Sequence, residues 1–238
     1  LGFLNASMAG ATQRFMSYNE GKGDKNKQKK IFNTSVILHL LLAILVAILL
    51  FLLEPIFFNH LLNIDPSKVS AAKWIYYFTI FSTGFSMMTV PYDAVLNAHE
   101  NMLYYAIVGI IQSLLVLLVA ITVVRVDSNK LIWYGGLTSL SCILILLIER
   151  AYCKFKYQEC EFKPSKYFDI PSLKEMASFA GWNLLGSSSS VIWGYGTNLM
   201  INNFFGTIVN AASGVCGQIN GQLQAFSTNM LKAVNPVI

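Results

Sequence analysis

The chain has 238 residues, a mean hydropathy of +0.53 and 12% charged residues, about half the charge of a soluble globular chain, which runs near 25%. Its formal net charge of +5 comes from 17 Lys+Arg against 12 Asp+Glu, and it falls in short islands between long uncharged runs. That pattern excludes the evenly charged surface of a soluble nucleic-acid binder and points to a chain solvated by lipid.

Residues 1–18 read as the end of a first helix. The chain opens on Leu1 inside an apolar run and closes on "NPVI", so an internal stretch of a longer protein is expected. "GKGDKNKQKK" at 21–30 follows, with five lysines in ten residues. Residues 36–53 are then apolar throughout, apart from His39. A helix needs about 20 such residues to cross the hydrocarbon core. Uncharged runs recur at 74–92, 102–124 and 131–148, and a last one spans 176–231. At ~1.5 Å per residue the last run is too long for one crossing, and "NNFFG" at 202–206 is its natural break. Seven membrane segments are expected in all, the first incomplete.

Alternate loops collect 13 of the 17 Lys and Arg, leaving Lys68, Lys73, Arg125 and Lys130 on the other side. Because cytoplasmic loops retain Lys and Arg, the lysine island is expected to be a cytoplasmic loop, with nucleic-acid binding a poor second. Trp74, Tyr76, Tyr77, Trp133 and Tyr134 then open spans on the outer side, and Tyr104 and Tyr105 lie near an inner boundary, as suits rings at headgroup level. The longest outer loop, about 59–72, is short. The largest hydrophilic piece, 150–174, has two prolines and reads as a linker between two halves of a bundle.

Polar side chains are costly in lipid and tend to face a cavity or another helix. Asn183, Ser187, Ser190, Gly194 and Asn198 share one helical face, which suits close packing through small residues as well as a hydrated cavity wall. Gly214, Gly217 and Gly221 with Gln218, Gln222 and Asn229 leave the same two readings open. Ser82, Ser86, Asp93 and Asn97 share another face. Asp93 is a candidate proton or cation site, against a water-exposed carboxylate near the interface. Glu149 and Arg150 are expected at the interface. Arg14, one turn before the lysine island, either snorkels to the inner interface or holds a phosphate with its planar fork.

Cys142 and Cys216 lie in apolar runs; Cys153 and Cys160 lack the spacing and His partners of a zinc site. Four free thiols are expected, and neither metal nor cofactor. No GxxxxGK[ST], HExxH or GxSxG occurs. Asn5-Ala-Ser and Asn33-Thr-Ser match the N-glycosylation pattern, the second on the cytoplasmic side.

"AGATQRFMSYNEGKGDKNKQKKIFNTS", "VPYDAVLNAHENMLYYA", "FAGWNLLGSSS", "NNFFGTIVNAASGV" and "NPVI", in that order, resemble the polysaccharide-transporter branch of the multidrug/oligosaccharidyl-lipid/polysaccharide (MATE-like) flippase superfamily. Wzx-like O-antigen and capsule flippases are the nearest in kind. The resemblance covers essentially the whole chain. It implies an all-α, polytopic transmembrane helix bundle with a two-lobed transporter fold, of which this chain holds a fragment. Residues 1–152 would be the N-terminal lobe with the family's second to sixth helices, 153–174 a cytoplasmic linker, and 175–238 the start of the C-terminal lobe with the seventh and eighth. "NASMAGATQ" at 5–13 laid on "NAASGVCGQ" at 210–218 matches at Asn, Ala and Gln, as an internal repeat would.

The same resemblance implies a non-enzymatic flippase in the bacterial cytoplasmic (inner) membrane. Its partners would be membrane lipids, a lipid-linked oligosaccharide and polysaccharide polymerase machinery. Transport would follow alternating access of the two lobes, moving a polyprenyl-pyrophosphate-linked oligosaccharide to the outer leaflet. The cavity-lining residues it implies are Arg14, Trp182, Asn183, Asn198, Gln218 and Gln222, with Asp93 as the ion-coupling candidate. The rivals are a cation-coupled multidrug exporter of the same superfamily, a membrane enzyme of glycan polymerisation, for which no large outer loop is present, and a membrane scaffold without transport.

Overall fold

A computed structural model describes residues 2–58, 69–127 and 129–234. Among them the chain is helical: α1 Gly2–Gly21, α2 Lys25–Ile56, α3 Val69–Ala98, α4 Met102–Arg125, α5 Lys130–Lys156, a 3₁₀ turn Gln158–Cys160, a short α6 Pro164–Tyr167, and α7 Ile170–Val234. By length and composition α2, α4 and α5 suffice to cross a membrane. Helices α1 and α3 carry more hydroxyl and amide side chains, and α3 is the hub, packing against α1, α2 and α5. Polar residues are tolerated there because neighbouring helices, not lipid, surround them. The expected outer loop at 59–72 lies mostly outside the described residues; from Val69 on it is already helix α3.

The lysine island is less of a loop than expected. Only a tight turn separates α1 from α2, with Gly23 at φ +68°, a conformation glycine adopts without steric cost. Asp24 caps α2 by accepting from the Lys27 backbone N–H at 2.9 Å, which satisfies one of the free donors of the first turn. Four of the five lysines therefore lie on the first two turns of a helix. Asn101 caps α4 in the same manner.

Those turns fasten the connecting segment that follows α5. Lys27 and Lys30 pair with Asp169 at 3.5 and 3.3 Å, and Lys29 pairs with Glu161 at 3.6 Å. Asn33 is fully buried. Its amide donates to Lys29 O and Glu161 O, both at 2.9 Å, and its carbonyl accepts from the Lys163 N–H at 2.8 Å. The glycosylation match at Asn33 is thus a packed structural amide. Asp169 also accepts from the Ser172 hydroxyl and N–H; these bonds, with Lys30 and Lys27, outweigh burial and hold its carboxyl well below the usual aspartate range. Its grip is present in full above the usual range and is lost as pH falls through the lowered value.

The core sits at this lysine-rich end, where Met16, Ile31, Phe32, Val95, Leu96, Cys153 and Met176 are buried together. All four cysteines are free thiols. At the opposite end Trp74, Tyr77 and Phe51 form an aromatic cluster, Lys73 pairs with Glu54 at 2.9 Å, and Trp133 and Tyr134 are exposed. Between the ends, α3 and α5 meet closely at Gly135, where an added Cβ would lie 2.9 Å from Phe78 Cδ2.

The expected break at 202–206 does not occur: α7 runs unbroken for 65 residues. Nothing local compels a break. The stretch holds no proline, and one glycine costs a helix only about 1 kcal/mol. A turn there would have to be held by packing between its two arms, and the described side chains beyond Leu185 are almost all exposed.

Candidate functional site

Two hollows are lined by the candidate residues. The first, about 770 Å³, lies between α1 and the start of α7 and is lined by Arg14, Tyr18, Lys174, Glu175, Phe179 and Trp182 among others. Residues 174, 178 and 182 recur every four along α7, as do Glu175 and Phe179, so the helix turns both rows toward α1. Phe15 of α1 meets Phe179 edge-on at 6.4 Å, which seats the helix pair. The Arg14 guanidinium lies 4.8 Å over the Phe179 ring, a cation–π contact that orients its planar fork without consuming its N–H donors. Trp182 is 73% exposed, leaving a free aromatic face. Two cations against one acid, beside aromatic surfaces, suit an anion attached to a stackable ring.

The second hollow, about 410 Å³, lies among α1, α3, α4 and α5, and its polar lining includes Ser86, Asp93, Tyr105, Gln112, Thr138 and Glu149. Asp93 is half-buried. Glu149 is only 3% exposed, and its Oε2 has no hydrogen-bond partner. This corrects the interfacial placement expected for Glu149; Arg150, the next residue, is exposed as expected. Two carboxylates facing one confined space repel each other unless a proton or cation lies between them. Hydroxyl and amide oxygens around them are hard donors of the kind a small cation takes.

A family description, MatE, matches residues 1–122. The chain belongs to the MatE family. No curated protein and no solved structure matches it. This MatE-family protein is a multi-pass membrane transporter and not an enzyme, as the resemblance implied at the level of the superfamily.

Within the MatE-family chain the cavity residues implied by the resemblance fall in different places. Arg14 and Trp182 line one hollow, and Asp93 lines the other. Asn183 follows Trp182 and is half-exposed. Asn198 is exposed and lies 16 residues beyond Trp182, about 24 Å along a helix axis. Gln218 and Gln222 are exposed and farther still. The side chains of Ser187, Ser190 and Asn229 lie outside the described residues. Sequence reading assigned Lys174 no site role and set Glu149 at the interface. The spacing of Lys174 and Trp182, eight residues or about two helical turns apart, was a legible signal for the first; Glu149, at the end of an apolar run, gave none for burial.

Proposed function

We propose that this transporter is a flippase for a polyprenyl-pyrophosphate-linked oligosaccharide, moving it from the cytoplasmic to the outer leaflet of a bacterial inner membrane for O-antigen or capsule synthesis. The observation that carries the reading is the shared hollow of Arg14, Lys174 and Trp182 between α1 and α7. A sugar head joined to pyrophosphate needs cations for the phosphates and flat aromatic or amide surfaces for the sugar, in a site roomy enough to admit both. Arg14 gives paired contacts to phosphate oxygens, Lys174 adds a mobile point charge, and Trp182 offers a stacking face. The half-exposed Asn183 and the exposed Asn198, Gln218 and Gln222 extend a polar surface for hydroxyl groups along α7. In this reading the segment 153–174 joins two lobes, the second begins at 175, and their alternation moves the head group across.

The test is transport of a fluorescent lipid pyrophosphate-linked sugar in vesicles holding the protein. Arg14→Ala is expected to slow flipping about 30-fold, the loss of a charge-assisted phosphate contact, with insertion unchanged. Normal flipping by that variant sinks the proposal.

The Asp93–Glu149 hollow favours a second reading, a cation-coupled exporter of cationic drugs. Its test is efflux of a cationic dye driven by a proton or Na⁺ gradient. Gradient-driven efflux that Asp93→Asn abolishes, with no sugar-lipid flipping by the native protein, would establish the exporter. Flipping whose ion dependence vanishes in Asp93→Asn would instead assign the acid pair to coupling in the flippase.

A further inference from the structure

At the lysine-rich end a cluster stands apart from both hollows. His99 follows α3, just before the sharp turn at Glu100, whose φ is +52°. Its ring is stacked on Tyr157 with centroids 4.2 Å apart and planes 10° apart, so it is fixed in orientation by the connecting segment. Held so, its two nitrogens face two different acids. Nδ1 lies 3.3 Å from Oε1 of Glu20 at the end of α1, and Nε2 meets Oε1 of Glu159 in the 3₁₀ turn. Glu159 is 2% exposed and has its carboxyl lowered: burial raises it, and the His99 hydrogen bond and charge, with a backbone hydrogen bond and the charge of Lys25, more than compensate.

A neutral imidazole has one N–H and one lone pair. It can donate to one of these carboxylates, and it then turns a lone pair on the other. Only the imidazolium donates to both. We propose that Glu20, His99 and Glu159 form a proton-operated latch that fastens the connecting segment to the ends of α1 and α3. The charged and titratable groups around the ring are Glu20 from α1, Lys25 from α2, and Tyr157 and Glu159 from the connecting segment. The neighbouring Glu100 side chain is exposed. Lys25 binds Glu20 at 2.9 Å, and the buried Gln28 amide donates to the same acid. With its oxygens so engaged, Glu20 is poorly disposed toward a metal ion, although the three residues could each offer one ligand atom.

The latch is closed when the ring carries both protons and weakens when it gives one up, because a neutral ring turns a lone pair on one of the two carboxylates.

Hydrogen exchange tests this on the intact protein in nanodiscs with chelator present. Exchange of the amides of residues 157–161, corrected for intrinsic rate, is expected to rise about 30-fold between about pH 5.5 and 8, the loss of one charge-assisted hydrogen bond. In His99→Gln, which keeps a donor and cannot titrate there, exchange is expected to be elevated and flat across that range. Glu159→Gln, which keeps the packing and loses the charge, is expected to flatten it as well. A flat profile in the native protein, or an unchanged slope in both variants, overturns the proposal. So does protection at pH 8 that appears on adding Zn²⁺, which would make the cluster a metal site. These readouts do not depend on what the protein transports.

Discussion

At the lysine-rich end, Gln28, Asn33, Thr34 and Ser35 are polar and fully buried; on α7 beyond Leu185, Ile192, Trp193, Met200, Phe204 and Leu223 are apolar and exposed. Burial in this chain does not follow residue polarity, as it does in a soluble protein. It follows the availability of partners. Each buried polar group costs free energy unless hydrogen-bonded, and at the lysine-rich end α1, α2 and the connecting segment converge to supply bonds. The exposed apolar side chains of α7 carry no such cost in lipid, whose tails solvate them as well as a protein core does. The lysine-rich end is therefore the part whose geometry is dictated by specific contacts, and the far half of α7 is the part whose surroundings decide its arrangement.

The contrast can be broken most directly at Asn33. Asn33→Ala removes three hydrogen bonds and strands Glu161 O and Lys163 N–H, so a loss of about 3 kcal/mol is expected. Denaturant unfolding in detergent micelles measures it; a loss under about 1 kcal/mol would show that water replaces the amide readily. Gly135→Ala is expected to cost about 2 kcal/mol, because the new methyl drives into Phe78 and forces α3 and α5 apart. A neutral result in the same assay would mean the ring swings aside. Phe204→Ala, on the exposed half of α7, is expected to fall within about 0.5 kcal/mol of the native protein. A larger loss there would show that the far half has specific partners after all, and would erase the distinction between the two regions.

Helices α2, α4 and α5 were legible in the sequence because each holds a long uncharged run bounded by charge, and lipid permits little else. Their polarity was legible too, since the lysines gather on one end. What that end does was not legible. The pairing of Lys30 with Asp169 joins residues 139 apart, and a run of lysines looks the same whether it faces solvent or binds an acid from the other end of the chain. Nothing in "NAHEN" singles out His99; only the fold brings Glu20 and Glu159 to its two sides. Glu149 was misplaced for a related reason. Position at the end of an apolar run suggests the interface, and burial there depends on α3 lying against α5. Arg14 and Trp182 were both cavity candidates by resemblance, and it is the packing of α1 on α7 that puts them in one hollow. The proposed division of α7 into two spans rested on its length, on "NNFFG" and on the resemblance, and neither length nor those residues compels a helix to turn.

Asn33 touches the connecting segment only through main-chain atoms, Glu161 O and Lys163 N. Such a grip is indifferent to which side chains the segment carries and sensitive to how many residues it has. Over evolutionary time the segment is then free to exchange its residues but not its length: a substitution at 161 or 163 leaves the grip in place, whereas inserting or deleting one residue before it presents the wrong peptide group. Among relatives, gaps in this stretch should be scarcer than differences, and chains that do differ in length should also have lost the asparagine.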